Sequence, residues 1–183
     1  TALVAARHDR LGETFLDGTL YVTEHTHRCV AKAARVAGFP PGRVRTVPTD
    51  DNLRMDSAAA AAMISADRRA GLRLFLLVAT AGTTDTGTVD PLPELADLAA
   101  EQGLWFHVDG PYSGFFHLTE RGTSILAGID RADTLVLDPH KGLFLPYGTG
   151  LLLTRDQGTL RAAFAADGHY LQDAADDSDL PDY

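Results

Sequence analysis

A chain of 183 residues, 45% hydrophobic and 22% charged, has the composition of one ordinary folded domain, which excludes an intrinsically disordered protein. Its formal net charge of −9 argues against nucleic acid or an anionic membrane surface as a partner. The longest apolar run, residues 74–79, has the length of a strand, and residues 1–10 lack the apolar core of a signal peptide. The single cysteine, Cys29, suits a reducing cytoplasm, so we expect a cytoplasmic protein without a membrane segment.

Strand-like and helix-like segments alternate along the chain, and this alternation predicts an α/β fold with a mostly parallel sheet flanked by helices. Apolar β-rich segments predict strands at residues 19–23, 44–47, 72–80, 104–108, 134–137 and 150–154. Capping residues, prolines and glycines predict helices at residues 28–37, 56–70 and 91–102, and residues 1–7 read as the body of another helix.

The domain organisation follows from the same pattern. No repeat, linker or second core interrupts residues 1–183, so we predict a single domain. Residues 1–7 lack a capping residue, and the acidic residues at the other end lack a closing element, so we expect a large domain that is incomplete at both ends. We predict that residues 155–183 form a mobile loop region.

Polar residues stand at the ends of three predicted strands. Gly82-Thr83-Thr84 follows the third strand, Asp109 the fourth, and Asp138-Pro139-His140-Lys141 the fifth. Because the carboxyl ends of parallel strands meet at one edge of a sheet, where binding sites collect, we expect a site there.

Lys141 can carry amine chemistry in such a place. A lysine that directly follows a buried strand is partly desolvated, and desolvation leaves more of the free amine that Schiff-base formation requires. A lone lysine at a strand end is more often a solvated side chain, and a lone Asp109 is more often a cap or a turn former. The two residues gain meaning only together.

Together, three segments resemble the group II amino-acid decarboxylases, which are fold-type-I enzymes that depend on pyridoxal 5′-phosphate (PLP). The segments are residues 78–84 (VATAGTT), 107–112 (HVDGPY) and 138–141 (DPHK), in that order and spacing. The resemblance covers essentially the whole chain and implies the large domain of such an enzyme, with PLP as its cofactor.

The resemblance also implies roles for individual residues. Lys141 would hold PLP as a Schiff base, and Asp109 would face the pyridine nitrogen, where a carboxylate stabilises the protonated ring. His27 would stack on one face of the ring and assist catalysis, and Pro111 would pack on the other face.

Three further residues complete the predicted site. Thr84 would lie near the phenolic oxygen of the cofactor or the substrate carboxylate, and His140 near the phosphate. Tyr170 matches a tyrosine that reaches the neighbouring subunit's site and protonates Cα after carbon dioxide leaves. A phenylalanine there accompanies oxidative aldehyde formation, so Tyr170 favours simple decarboxylation; an exposed loop tyrosine is the alternative.

The resemblance predicts a homodimer that converts an L-amino acid to the amine and carbon dioxide, with sites at the subunit interface. Another fold-type-I activity, such as an aminotransferase, a desulfurase-like lyase or an aldolase, stays open, as does an inactive protein kept for dimerisation. Asp138 and Gly142 depart from residues of several relatives, so the sequence leaves the substrate open.

Other candidates favour structural roles. His25 and His27 are two residues apart, but no third ligand stands at a metal-site offset, so we predict no metal. His107 lies within an apolar strand and Trp105 beside it, and we expect both in the core. We expect Cys29 to be a packing residue without a depressed pKa.

Overall fold

The computed structural model describes residues 1–165 and shows one six-stranded sheet with the spatial order β2-β1-β3-β4-β5-β6. The first five strands are parallel, and β6 pairs antiparallel with β5. The strands are β1 (Gly18–Thr23), β2 (Val44–Val47), β3 (Arg73–Thr80), β4 (Trp105–Asp109), β5 (Thr134–Leu137) and β6 (Leu151–Thr154). The predicted fold class is therefore confirmed.

Helices cover both faces of this sheet. They are α1 (Ala2–Leu11), α2 (Cys29–Val36), α3 (Ser57–Arg69), α4 (Leu92–Gln102), α5 (Glu120–Ile125), α6 (Pro139–Gly142) and α7 (Gln157–Phe164). Apolar side chains of α3 and α4 pack with one face of the sheet, and those of α1 and α2 pack with the other. Within residues 1–165, none of the helices combines the length and apolar composition needed to cross a bilayer.

Local sequence explains the element boundaries that were predicted. The Asp56 side chain accepts a hydrogen bond from the backbone N–H of Ala59 at 2.9 Å, which caps the start of α3 as expected. Gly103 ends α4 in the left-handed conformation, with φ 64°. From Phe75 onward every residue of β3 is buried, because helices cover this central strand on both sides.

Several short elements were not predicted. They are α5, α6 and three 3-10 helices at Pro41–Arg43, Gly114–Leu118 and Ile129–Arg131. None spans enough turns to show a helical period in the sequence. The helix α7 lies inside the region 155–183 that was predicted to be a mobile loop; residues 166–183 lie outside the described residues, and for them the loop stays a prediction.

Candidate active site

The exits of β3, β4 and β5 lie side by side at one edge of the sheet, as the sequence predicted. Thr80 pairs in register with Asp109, and Asp109 pairs with Val136. Gly82 continues from β3 with φ 92°, and a Cβ atom there would lie only 1.9 Å from the Ser113 hydroxyl oxygen. Only glycine allows this close approach of the loop after β3 to the segment after β4.

Asp109 ends β4 and is 3% exposed. Within residues 1–165, no backbone or side-chain group donates a hydrogen bond to its carboxylate. Burial raises the pKa of Asp109, while the charges of His27 and Lys141 act to lower it. The carboxylate lines an open cavity, so it can accept a hydrogen bond from a cationic group bound there.

A cavity of about 380 Å³ opens beside Asp109 on the face covered by α1 and α2. Its lining is mostly apolar and includes Asp109, His107, Cys29, Val78, Ala33 and Leu151. An apolar space with a carboxylate in its wall fits an aromatic ring that carries a protonated nitrogen.

Two residues beside Asp109 were expected in the core, and the structure confirms both. His107 and Trp105 are buried, and both contact the hydroxyl oxygen of Thr134 at 2.9 Å, His107 through Nδ1 and Trp105 by donating from Nε1. Burial lowers the pKa of His107 to about 4, so the ring is neutral near neutral pH.

Cys29 lies on the rim of the same cavity and is exposed, so the expectation that it is a packing residue is wrong, because its side chain lies at the start of α2 rather than under it. Partial desolvation and the nearby Asp109 raise the pKa of its thiol, so no depressed pKa marks it as a nucleophile, as expected.

Lys141 lies in the short helix α6, directly after β5. Its side chain is 41% exposed, and Nζ donates to the Asp138 carboxylate at 2.9 Å. The expected desolvation of Lys141 is therefore wrong, because α6 carries the side chain out of the sheet edge. His140 is oriented by a hydrogen bond from Nδ1 to the carbonyl oxygen of Thr149 at 2.6 Å, and its Nε2 lies 3.7 Å from Asp138. The amine is therefore held at the strand exit next to that of Asp109.

None of the remaining predicted residues that the structure describes lines the cavity beside Asp109, and neither does Lys141. His27 is exposed in the turn between β1 and α2, and its Nδ1 accepts a hydrogen bond from the backbone N–H of Cys29 at 3.3 Å. Thr84 is exposed in the loop after β3, and Pro111 is half-buried after β4. Tyr170 lies outside the described residues.

Across residues 1–165, no three His, Cys, Asp or Glu side chains converge on a possible metal position.

Sequence reasoning missed two features. The buried Asp90 accepts hydrogen bonds from the backbone N–H groups of Met55 and Thr80, both at 2.7 Å, and so fixes the start of the loop after β3. His25 donates from Nδ1 to the Asp85 carboxylate at 2.9 Å. An aspartate before Pro91 reads as a helix cap in sequence, and nothing in sequence signals a pair 60 residues apart.

An α/β domain with a carboxylate buried in an apolar cavity, and a lysine at the next strand exit, defines a domain suited to a cationic aromatic cofactor. The chain belongs to the pyridoxal-dependent decarboxylase family, because the model described as "Pyridoxal-dependent decarboxylase conserved domain" matches residues 4–183. PLP is thus the cofactor of its family, as predicted.

Similar proteins agree with this assignment. The chain is 40% identical over 174 residues to an aromatic-L-amino-acid decarboxylase of Bacillus atrophaeus, covering 95% of this chain and 36% of that protein. It is 40% identical over 154 residues to an L-2,4-diaminobutyrate decarboxylase of Rhizobium meliloti, covering 84% and 31%. The chain thus spans about a third of the length of these relatives.

A solved structure extends the likeness to the fold. The crystal structure of Oryza sativa TDC with PLP and tryptamine superposes with a TM-score of 0.92 at 33% identity. The match covers 98% of this chain and 39% of that protein. The chain therefore has the fold of fold-type-I PLP decarboxylases over its described length.

Proposed function

We propose that the complete protein decarboxylates an L-amino acid with PLP, releasing the amine and carbon dioxide. The single observation that carries this proposal is the Asp109 carboxylate, buried without a donor at the strand exit beside Lys141, in a chain of this family. The relatives act, by their names, on aromatic amino acids and on diaminobutyrate, so an L-amino acid is the substrate class that we propose.

Asp109 supplies the electrostatic part of the proposed reaction. Its carboxylate would accept a charge-assisted hydrogen bond from a protonated ring nitrogen, which relieves the cost of its burial. When bound, PLP withdraws electrons from the bonds at the substrate Cα, and a positively charged ring does so more strongly. Asp109 would hold that charge on the ring through its carboxylate.

Lys141 would attach the cofactor covalently through its amine. Its pairing with Asp138 holds Nζ at the exit of β5. Its partial exposure would let the substrate amine displace Nζ from the cofactor and let Nζ attach again after the reaction. His140, whose Nδ1 donates to the Thr149 carbonyl, would lie near the phosphate of the cofactor.

We propose that His27 and Pro111 enclose the ring from opposite faces, and that Thr84 contacts the phenolic oxygen or the substrate carboxylate. His27 follows β1, and its Nδ1 accepts a hydrogen bond from the Cys29 backbone N–H, which orients the ring. Protonation of Cα would come from Tyr170 of the partner subunit, with His27 assisting. Replacing Tyr170 with phenylalanine should then shift the product from amine toward aldehyde.

A homodimer is supported by apolar side chains that the fold leaves exposed around α6 and the 3-10 helix Gly114–Leu118. They are Tyr112, Phe116, Leu118, Leu143, Phe144, Leu145 and Tyr147. Such a concentration of exposed apolar surface is typical of a surface that another domain or another subunit covers. We propose that this surface contacts a second copy, and that the dimer is cytoplasmic, which the single cysteine favours.

The test compares the complete wild-type protein with Lys141→Ala and Lys141→Arg. Wild type should show a cofactor absorbance band, become labelled at Lys141 after borohydride reduction, and release carbon dioxide from at least one L-amino acid. Lys141→Arg keeps the charge and should lose both label and activity. Labelling at another lysine would reject Lys141 as the residue that holds the cofactor. Formation of a keto acid without carbon dioxide would reject decarboxylation and favour an aminotransferase.

A further inference from the structure

The turn after β1 and the loop after β3 are joined by one hydrogen bond between side chains. His25 donates from Nδ1 to Asp85 at 2.9 Å, although the residues are 60 positions apart. Of the hydrogen bonds within residues 1–165, this is the one that connects residues 24–28 to residues 81–89. The first segment carries His27 and the second carries Thr84.

The turn on the His25 side is rigid by itself. The hydroxyl of Thr26 accepts the backbone N–H of Thr23 at 2.9 Å, and the backbone N–H of Thr26 donates to the Thr23 carbonyl at 3.2 Å. These two hydrogen bonds between Thr23 and Thr26 fix the backbone of the turn and therefore the positions of His25 and His27 relative to each other.

The loop on the Asp85 side is also closed on itself. One oxygen of Asp85 accepts the backbone N–H of Thr86 at 2.9 Å, while the other oxygen binds His25. The hydroxyls of Thr83 and Thr86 lie 2.6 Å apart, and the backbone N–H of Gly87 donates to the Thr83 carbonyl at 2.9 Å. The hydrogen bond to His25 holds the pKa of Asp85 below its usual value.

We propose that His25 and Asp85 are positioning residues that hold the His27 turn against the Thr84 loop and thereby shape the cofactor site. This inference rests on the proposed function, because it assigns the pair a role toward the bound cofactor. Two rigid segments joined at one point can shift as units when that point is removed, so cofactor binding should change more than folding does. The pair is partly exposed, with side chains 19% and 55% accessible, and such pairs contribute little to folding.

The experiment measures PLP affinity by titration of the apo form of the complete protein, together with circular dichroism of the bound cofactor. His25→Ala and Asp85→Ala should each weaken PLP binding by about tenfold and reduce the dichroic band, with little change in melting temperature. The double variant should be no weaker than the single ones, because both changes remove one interaction.

Two variants separate positioning from a general surface effect. In His25→Asn the amide nitrogen takes the place of Nδ1, so affinity should return to within about threefold of wild type. Asp97→Ala breaks a comparable exposed pair, Arg131–Asp97 at 2.7 Å, away from both loops and should leave affinity unchanged.

The outcomes distinguish this inference from the proposed function. Wild type that shows no cofactor band rejects the proposed function and the inference with it. Wild type that binds PLP while the His25 and Asp85 variants behave like Asp97→Ala overturns the inference alone. Additive losses in the double variant, or no recovery in His25→Asn, also overturn it.

Discussion

The exits of β4 and β5 are neighbours in the sheet, yet they present their charged residues in opposite ways. Asp109 is 3% exposed and has no hydrogen-bond donor within residues 1–165. Lys141 is 41% exposed and is already paired with Asp138 at 2.9 Å. The Asp109 carboxylate is desolvated and has no donor within residues 1–165, whereas the Lys141 amine is solvated and paired with Asp138.

The difference separates two tasks of the site. The sheet builds the Asp109 side from buried strands, so its electrostatics are preorganised before anything binds. The Lys141 side is built from a four-residue helix and an exposed apolar segment, so its amine keeps the freedom that covalent exchange requires. Four substitutions test this difference.

The largest effect is expected for Asp109→Asn in the complete protein. Loss of the carboxylate removes the charge that holds the ring protonated, so kcat should fall by about 10²–10³-fold. The folded apo protein should gain roughly 1 kcal/mol in free energy of unfolding, because a buried ionised group without a donor is removed. Enzyme assays and urea unfolding measure the two effects.

The gain in stability has a defined pH dependence. Burial raises the pKa of Asp109 in the folded protein, so its ionised carboxylate lowers the stability of wild type at pH values above the ordinary pKa of 3.8. The stability gained by Asp109→Asn should therefore vanish below that pH. Unchanged activity would show that the reaction does not depend on the Asp109 charge. A variant less stable than wild type at neutral pH would show that Asp109 has a partner in the apo protein.

The next effect concerns His107, whose pKa falls from 6.5 to about 4 in the fold. The unfolded chain takes up a proton at a higher pH than the native protein, so stability should fall as pH drops from 6.5 to 4. The loss should approach roughly 3 kcal/mol. Urea unfolding of wild type and His107→Asn across this pH range measures the loss. The same dependence of unfolding free energy on pH in both proteins would refute the prediction.

A smaller effect is expected at Phe144, which has φ 55° and is 91% exposed. Phe144→Gly relieves the left-handed strain and should stabilise the isolated subunit by about 0.5–1 kcal/mol. If this side chain contacts a second copy, the same change should weaken the dimer. Thermal unfolding and sedimentation of the variant test the two effects, and a dimer of undiminished affinity would place the interface elsewhere.

The smallest effect is expected for Asp138→Asn. The Lys141–Asp138 pair is partly exposed and lies within one helical turn, so its loss should change the free energy of unfolding by less than about 0.5 kcal/mol. Urea unfolding measures this change. A loss above about 1.5 kcal/mol would mean that the β5 exit is as preorganised as the β4 exit.

The sequence predicted the features that depend on interactions between residues close together in the chain. Apolar β3 and β4, the Asp56 cap and the Gly103 stop were predicted within one or two residues of their observed bounds. Because the sheet was predicted to be mostly parallel, Asp109 and Lys141 were expected at the same edge. These features depend on side-chain type and short spacing, which the sequence displays directly.

Features that depend on packing could not be predicted. That Asp109 lacks a donor depends on every neighbour in space, and the His25–Asp85 bond joins residues from two separate crossovers. The helix α6 is four residues long and has no period to detect. Roles of His27, Thr84, Pro111, His140 and Tyr170 stay predictions until the cofactor is seen with the complete protein.

The position of Trp105 has a practical consequence. It is the one tryptophan among the 183 residues, and its indole N–H is bonded to the same hydroxyl that contacts His107, whose ring lines the cavity. The chain therefore carries an intrinsic fluorophore within two hydrogen bonds of the cavity wall. Its emission offers an optical signal for events in the site without any label being attached.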